Sequence, residues 1–215
     1  MYKNEAYWND FYSENKELRN ASKFCQSNYL SIYNPEDYLV LELGCGNGAD
    51  SFFFANKGFE VIAVDGSNTA ITNNKALSNN FVNFIWENLS DEKAVKNLFS
   101  FVNEKAIQDK KKVLIYTRFF LHAIPDEVED LLFSTIINEL KVPFNFVSEF
   151  RVKEDKDLYK IYDNHYRRYV DTNKLIKKII QIGYEIVKFE KSRGLSPYKN
   201  EDPFIARFTL QKYEG

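Results

Sequence analysis

The chain is poor in sulfur and in imidazole. Two cysteines (Cys25, Cys45), two histidines (His122, His165) and one methionine occur among 215 residues. Two cysteines build no disulfide framework, and Cys45 lies inside a glycine-rich turn, which points to a reducing compartment. Two histidines and two cysteines at these spacings match no zinc pattern, so no metal is expected. No apolar run approaches the ~20 residues that span a bilayer, and Met1 to Asp10 is polar and aromatic rather than leader-like. A cytoplasmic protein without membrane attachment is the expectation. The formal net charge of −2 sets up no field that would draw in nucleic acid. Arginine is scarce too, at seven of the 29 basic side chains. Where it does occur, its planar fork is the reason to look. No internal repeat, low-complexity tract or linker divides the chain, so residues 1–215 read as one domain with a full core.

What is present is concentrated in one stretch, Leu39 to Asp50. An apolar run of strand length ends in Gly44, Gly46 and Gly48, and a helix-like segment follows. Glycine lets the backbone turn sharply and lets a ligand approach where a Cβ would stand. A turn of this kind feeding a helix also offers free N–H groups and the positive end of the helix dipole. It reads as a nucleotide-type cofactor site. Gly44-x-Gly46-x-x-Ala49 satisfies the loose dinucleotide fingerprint. Glu42, two residues before the first glycine, would repel a pyrophosphate and suits a cationic ligand such as the amino acid part of S-adenosylmethionine. Asp65, about 20 residues past the turn at the end of the next apolar run, is placed for ribose hydroxyls under either reading.

The hydrophobic pattern predicts strands over 38–43, 59–64, 81–86, 113–117, 144–150, 184–189 and 204–210. Helices are expected over 48–57, 69–78 and 91–104, from Pro125 at a first helical position, and from Asp171 or Thr172 to Gly183. Ser67 or Asn68 caps the second of these, and Asp91 and Glu92 open the third. Val128, Leu131, Leu132 and Ile136 form one buried stripe; Leu175, Ile176, Ile179 and Ile180 form another. Residues 1–37 carry Tyr2, Tyr7, Trp8, Phe11, Tyr12, Phe24, Tyr29 and Tyr33. Trp8, Phe11 and Tyr12 are spaced for one helix face, either packed on the domain or serving as a lid. Seven strands with helices between them and a C-terminal hairpin make an α/β protein.

In open α/β sheets the ligand sits beyond the carboxyl ends of the strands. Thr117, Arg118, His122 and Arg151 fall there, and the segment His165-Tyr-Arg167-Arg168-Tyr follows. Four of the seven arginines gather in these segments, which suggests a small anionic substrate. The alternative is structural pairing with acids such as Glu149 or Asp171. His122 is the candidate general base or hydrogen-bond donor. The loop at 190–203 is long enough to be functional.

Glu42-Leu-Gly-Cys-Gly-Asn-Gly48 resembles motif I of the class I S-adenosylmethionine-dependent methyltransferases, and the resemblance covers about residues 38–212. It implies a Rossmann-like, seven-stranded, mostly parallel sheet with an antiparallel C-terminal strand, helices on both faces and an N-terminal helical lid over 1–37. It also implies S-adenosylmethionine as cofactor, bound by Glu42, Gly44, Cys45, Gly46, Asp65, Gly66, Ser67, Asn88, Leu89 and Thr117. Asn88 stands where these enzymes often place an aspartate beside the adenine. Residues 7–12 look like the lid, and 116–124 resemble the segment after the fourth strand, of small-molecule methyltransferases. Substrate contacts are then expected at Tyr12, Arg118, Arg151, His165, Arg167 and Arg168, with His122 catalytic. The Asn/Asp-Pro-Pro-aromatic motif for amino groups of nucleobases and glutamine is missing, as is the strand-end aspartate of metal-dependent catechol-type enzymes. The whole looks like bacterial enzymes that O-methylate small anionic metabolites, some in capsule or surface-polysaccharide assembly, such as a phosphoramidate. A nicotinamide-dinucleotide oxidoreductase and a non-catalytic S-adenosylmethionine-binding scaffold stand as alternatives.

Overall fold

Strands covered on both faces need apolar side chains at successive positions. Residues 61–64 and 113–116 have them, and all are buried. The computed structural model, which describes residues 5–17, 20–27, 30–78, 82–161 and 165–213, joins such runs into one sheet. Its strands are β1 (Tyr38–Leu43), β2 (Glu60–Asp65), β3 (Val82–Trp86), β4 (Lys112–Arg118), β5 (Phe144–Arg151), β6 (Tyr184–Ser192) and β7 (Ile205–Lys212). The order is β3-β2-β1-β4-β5-β7-β6, with β7 antiparallel to both neighbours. The helices are α1 (Glu5–Glu14), α2 (Ala49–Asn56), α3 (Asn68–Leu77), α4 (Glu92–Gln108), α5 (Asp126–Glu139) and α6 (Thr172–Ile182). Phe81, expected to start β3, and Tyr2, Arg19 and Tyr29 lie outside the described residues.

Alternation along the strands splits the core in two. Leu39, Leu41, Val113, Ile115 and Phe146 point to the face covered by α4, α5 and α6. Val40, Leu114, Tyr116 and Val147 point to the face covered by α2, α3 and the buried residues Phe24, Leu30 and Tyr33. This parity decides which strand-end side chains reach the site.

Local caps hold the helix starts. Ser67 Oγ accepts from Ala70 N at 3.2 Å, Asp91 from Ala94 N at 3.0 Å and Asp171 from Asn173 N at 3.0 Å, each worth ~1 kcal/mol. Gly183 ends α6 with φ +108°. Two expectations need correction. Pro125 stands one residue before the helix, as its N-cap in extended backbone. Ile180 is 56% exposed, because α6 docks along the narrower stripe of Leu175 and Ile179. Helix α1 buries no residue in the core. It leans on α3, where Asn9 Oδ1 accepts from Ser67 Oγ (2.7 Å) and Thr69 N (3.2 Å), and Asn73 Nδ2 donates to the Tyr12 carbonyl (3.0 Å).

Candidate active site

The carboxyl ends of β1, β2, β4 and β5 open on one cleft of about 1080 Å³. Side chains of α1 and of the β6–β7 loop line it as well. That volume exceeds what one drug-sized ligand needs, so it suits a cofactor and an acceptor side by side.

At one end lies the glycine turn. Gly44, Gly46 and Gly48 have φ of +75°, +52° and +73°, a region that side chains other than glycine rarely adopt. A Cβ on Gly44 would strike the Phe120 ring, and one on Gly46 the Tyr12 hydroxyl. The amides of Gly44 and Cys45 donate to the Val64 carbonyl at 2.8 and 3.0 Å, which pins the turn to β2. Asp65 takes the Gly46 amide on one carboxylate oxygen and the Ser67 amide on the other, both at 2.8 Å. Burial raises its pKa, and the two amide bonds oppose that. Glu42 is buried and accepts one hydrogen bond among the described residues, from Ser51 Oγ at 2.5 Å. Burial, then the nearby charge of Asp50, holds its pKa well above the usual carboxylate range.

A buried, cleft-lining acid that makes no ion pair among the described residues fits the ammonium of an S-adenosylmethionine amino acid moiety. Asp65, beside the turn, fits its ribose. Cys45, Gly66 and Leu89 complete this end. The Ser67 hydroxyl is committed to Asn9 and to its own helix cap. Asn88 lies at the cleft, but its Oδ1 accepts from Ser90 N (3.0 Å) and Ser90 Oγ (2.6 Å). The oxygen that could accept from an adenine amine is thus turned into its own loop, leaving the Nδ2 donor. Thr117 is a correction: it points to the opposite face from Arg118, is fully buried, and bonds Ser148 Oγ at 2.7 Å instead of lining the cleft. Tyr12, expected at the acceptor, lies over Gly46 at the cofactor end.

At the other end stands His122. Its Nδ1 accepts the Arg151 backbone N–H at 3.1 Å, so the neutral ring carries its proton on Nε2. Burial first, then the charges of Arg151 and Arg167, hold its pKa well below the ordinary value. With its lone pair taken, His122 is a hydrogen-bond donor; the general-base expectation is corrected. His165 stacks on Tyr7 with ring centroids 5.2 Å apart, and its Nε2 accepts from Arg167 Nη2 at 3.2 Å. Both line the cleft.

The arginines divide. Arg118 lines the cleft, donates Nε to Glu149 at 3.1 Å and Nη2 to Ser196 at 3.5 Å, and makes no hydrogen bond through Nη1 among the described residues. Arg151 reaches the lining but is paired with Asp155 and Glu201. Arg168 is a further correction. It pairs with Asp126 and Glu129 beside α5 and does not line the cleft. Its structural partners come from α5, not from the acids considered in the sequence.

Sequence reasoning missed several residues. Asp50 accepts from Ser22 N (2.6 Å), Ser22 Oγ (2.8 Å) and Tyr116 OH (2.7 Å), tying residues 20–25 to the glycine turn's helix. Phe119 has φ +53°, a costly backbone for an aromatic residue. Its ring lies 4.3 Å from the Arg118 guanidinium and 5.5 Å from that of Arg151. Trp86, at the end of β3, donates its indole N–H to the Gly66 carbonyl at 3.0 Å and lines the cofactor end. An aromatic at a strand end was the available signal for Trp86; the other contacts need tertiary structure. No group of three or more His, Cys, Asp or Glu among the described residues could hold a metal ion.

Sheet order, glycine turn and paired acids define the class: the fold is that of the class I S-adenosylmethionine-dependent methyltransferases. The chain belongs to the family described as the tellurite resistance protein TehB, whose pattern matches residues 3–140. Among solved structures it is similar to a methyltransferase of this type from Anabaena variabilis (TM-score 0.74, 17% identity, covering 98% of this chain and 93% of the other). It is also similar to the glycopeptide N-methyltransferase MtfA complexed with S-adenosylmethionine (0.62, 12%, 90% and 94%). A third is the magnesium protoporphyrin IX methyltransferase ChlM from Synechocystis with bound S-adenosylhomocysteine (0.58, 15%, 86% and 78%). No curated protein matches the sequence. Neither the oxidoreductase nor the scaffold alternative is favoured by these likenesses. No helix among the described residues is long and apolar enough to cross a membrane.

Proposed function

We propose that this S-adenosylmethionine-dependent methyltransferase acts on a small acceptor that arrives already ionised. One observation carries the reading: both histidines of the cleft have a ring lone pair committed to a fixed donor, His122 to the Arg151 amide and His165 to the Arg167 guanidinium. Neither is disposed to remove a proton. Of the carboxylates at the cleft, Glu42, Asp50, Asp65 and Glu87 belong to the cofactor end, Glu5, Glu14 and Glu17 to α1 and the residues just after it, and Glu201 is paired with Arg151. Arg118 supports an anion, because its Glu149 partner is shared with a second arginine, Arg207, and its Nη1 remains to bind.

When bound, S-adenosylmethionine supplies an electrophilic methyl group, which an anionic acceptor can take with no proton to remove. Glu42 and Asp65 would hold the cofactor's ammonium and ribose. Arg118 and the Nε2–H of His122 orient the acceptor, and the aromatic side of α1 excludes water. Phosphate-type oxygens, including a nucleotide-linked or phosphoramidate precursor of surface polysaccharide, meet the requirement. So does tellurite, to which the family description refers.

The test is radiolabel transfer to a panel of tellurite, a phosphomonoester, an aryl carboxylate and an uncharged alcohol across pH. Turnover should be confined to ionised acceptors, with each rate following that acceptor's own ionisation. Methylation of the uncharged alcohol, with a pH dependence belonging to the protein, would overturn the reading.

A further inference from the structure

Four charged residues lie side by side across the sheet. Arg118 on β4 is the register partner of Glu149 on β5; Glu149 pairs with Arg207 on β7; Arg207 pairs with Glu190 on β6. Register partners project to the same face, so the row alternates in sign from the cleft to the sheet edge. The bonds follow it. Glu149, fully buried, takes Arg118 Nε (3.1 Å) and Ser196 Oγ (3.0 Å) on one oxygen, and Arg207 Nε and Nη2 (both 2.8 Å) on the other. Arg207 also reaches Glu190 at 3.2 Å and the Leu195 carbonyl at 2.9 Å. Of these residues only Arg118 and Ser196 line the cleft.

We propose that this row positions Arg118 for the acceptor. Glu149, braced by Arg207, and Ser196 of the β6–β7 loop fix the guanidinium by its Nε and Nη2 edges and aim Nη1 into the cleft. The loop thereby influences acceptor binding through Arg118. A fixed planar fork offers one direction of approach, whereas an unbraced arginine would present several and lose more rotamer freedom on binding. Only the identity of what meets Nη1 rests on the anionic-acceptor reading. Glu149, Arg207 and Ser196 act as positioning residues, since they work through Arg118.

The test uses the full chain with S-adenosylhomocysteine and two readouts. In proton–nitrogen NMR spectra, the Arg118 Nε–H, identified by its loss in Arg118→Lys, should be sharp and slow to exchange. Ser196→Ala should speed that exchange about tenfold or more, with cofactor affinity within about twofold. With tellurite as the probe acceptor, Ser196→Ala should raise KM about tenfold and leave kcat within about threefold. That effect should vanish in the Arg118→Lys background. Glu149→Gln should reproduce the pattern more strongly if it folds, and Ser196→Ala decides if it does not. An averaged Arg118 signal in the natural protein, a signal indifferent to Ser196→Ala, or an equal effect of Ser196→Ala without Arg118 would overturn the proposal. A protein that ignores tellurite but shows the predicted exchange pattern supports the positioning and counts against tellurite as acceptor.

Discussion

The carboxylate of Asp65 works in two directions, taking the amides of Gly46 and Ser67 while facing the cleft. Asp65→Ala should therefore weaken S-adenosylhomocysteine binding by roughly 10- to 100-fold, or ~1.5–3 kcal/mol for a hydrogen bond to a charged group. Asp65→Asn, which retains an acceptor for one amide, should lose less. Calorimetric titration measures both, and unchanged affinity in a folded Asp65→Ala protein would remove the residue from the site. His122 makes a different demand. Its folded pKa is depressed well below 6.5 by burial, so the unfolded chain binds a proton that the folded one refuses. Its contribution to stability is present above the unfolded value and is lost as pH falls below it, by at most ~1.4 kcal/mol per pH unit. His122→Asn can still accept the Arg151 amide without titrating. Its melting temperature should fall less between pH 7 and pH 5 than that of the natural protein, and parallel curves would show that His122 charges freely in the fold.

Among the elements, α1 stands apart because it buries nothing in the core and is held by Asn9, Asn73 and ring contacts such as Tyr7 with His165. Segments with few buried apolar contacts open at low free energy. Amides of residues 5–14 should exchange rapidly without ligand, and S-adenosylhomocysteine should slow them about tenfold or more if the helix covers the cofactor. Exchange as slow as that of β4, or no response to ligand, would make α1 a fixed wall. The elements legible in the sequence were those set by local chemistry. Apolar runs gave the strands, Asp91, Asp171 and Ser67 gave the helix starts, and three glycines gave the turn. What was not legible depends on register. Thr117 and Arg118 are adjacent at one strand end, yet pleating sends them to opposite faces. Glu149 meets Arg207 58 residues away only because β7 returns antiparallel beside β5. The acids that neutralise Arg168 come from α5, 39 to 42 residues earlier.

Across the whole molecule, one end of the cleft holds buried acids with no arginine paired to them among the described residues (Glu42, Asp50), and the other holds arginines paired with the buried acids Glu149, Asp155 and Glu201, although the formal net charge is only −2. Composition could not reveal that separation, because the two sets cancel in the sum. Burying such acids unpaired carries a cost that a cationic cofactor group would relieve. The pKa of Glu42 is raised in the fold, so its contribution is favourable below the unfolded carboxylate value and is lost as pH rises through the folded one. Near and above neutral pH the protein without cofactor should therefore be strained by this residue, and Glu42→Gln should melt about 2–8 °C higher, for ~1–2 kcal/mol in a chain of this size. The gap should narrow toward acid pH, where the natural carboxyl is protonated. The same substitution removes the anion proposed to face the cofactor's ammonium, so S-adenosylhomocysteine should bind roughly 10- to 100-fold more weakly and raise the melting temperature less. Differential scanning calorimetry of both proteins at pH 5 and pH 8, with and without S-adenosylhomocysteine, separates the two effects. A Glu42→Gln protein that melts no higher at pH 8, or gains as much from the ligand as the natural protein, would show that Glu42 is satisfied within the fold and does not serve the cofactor.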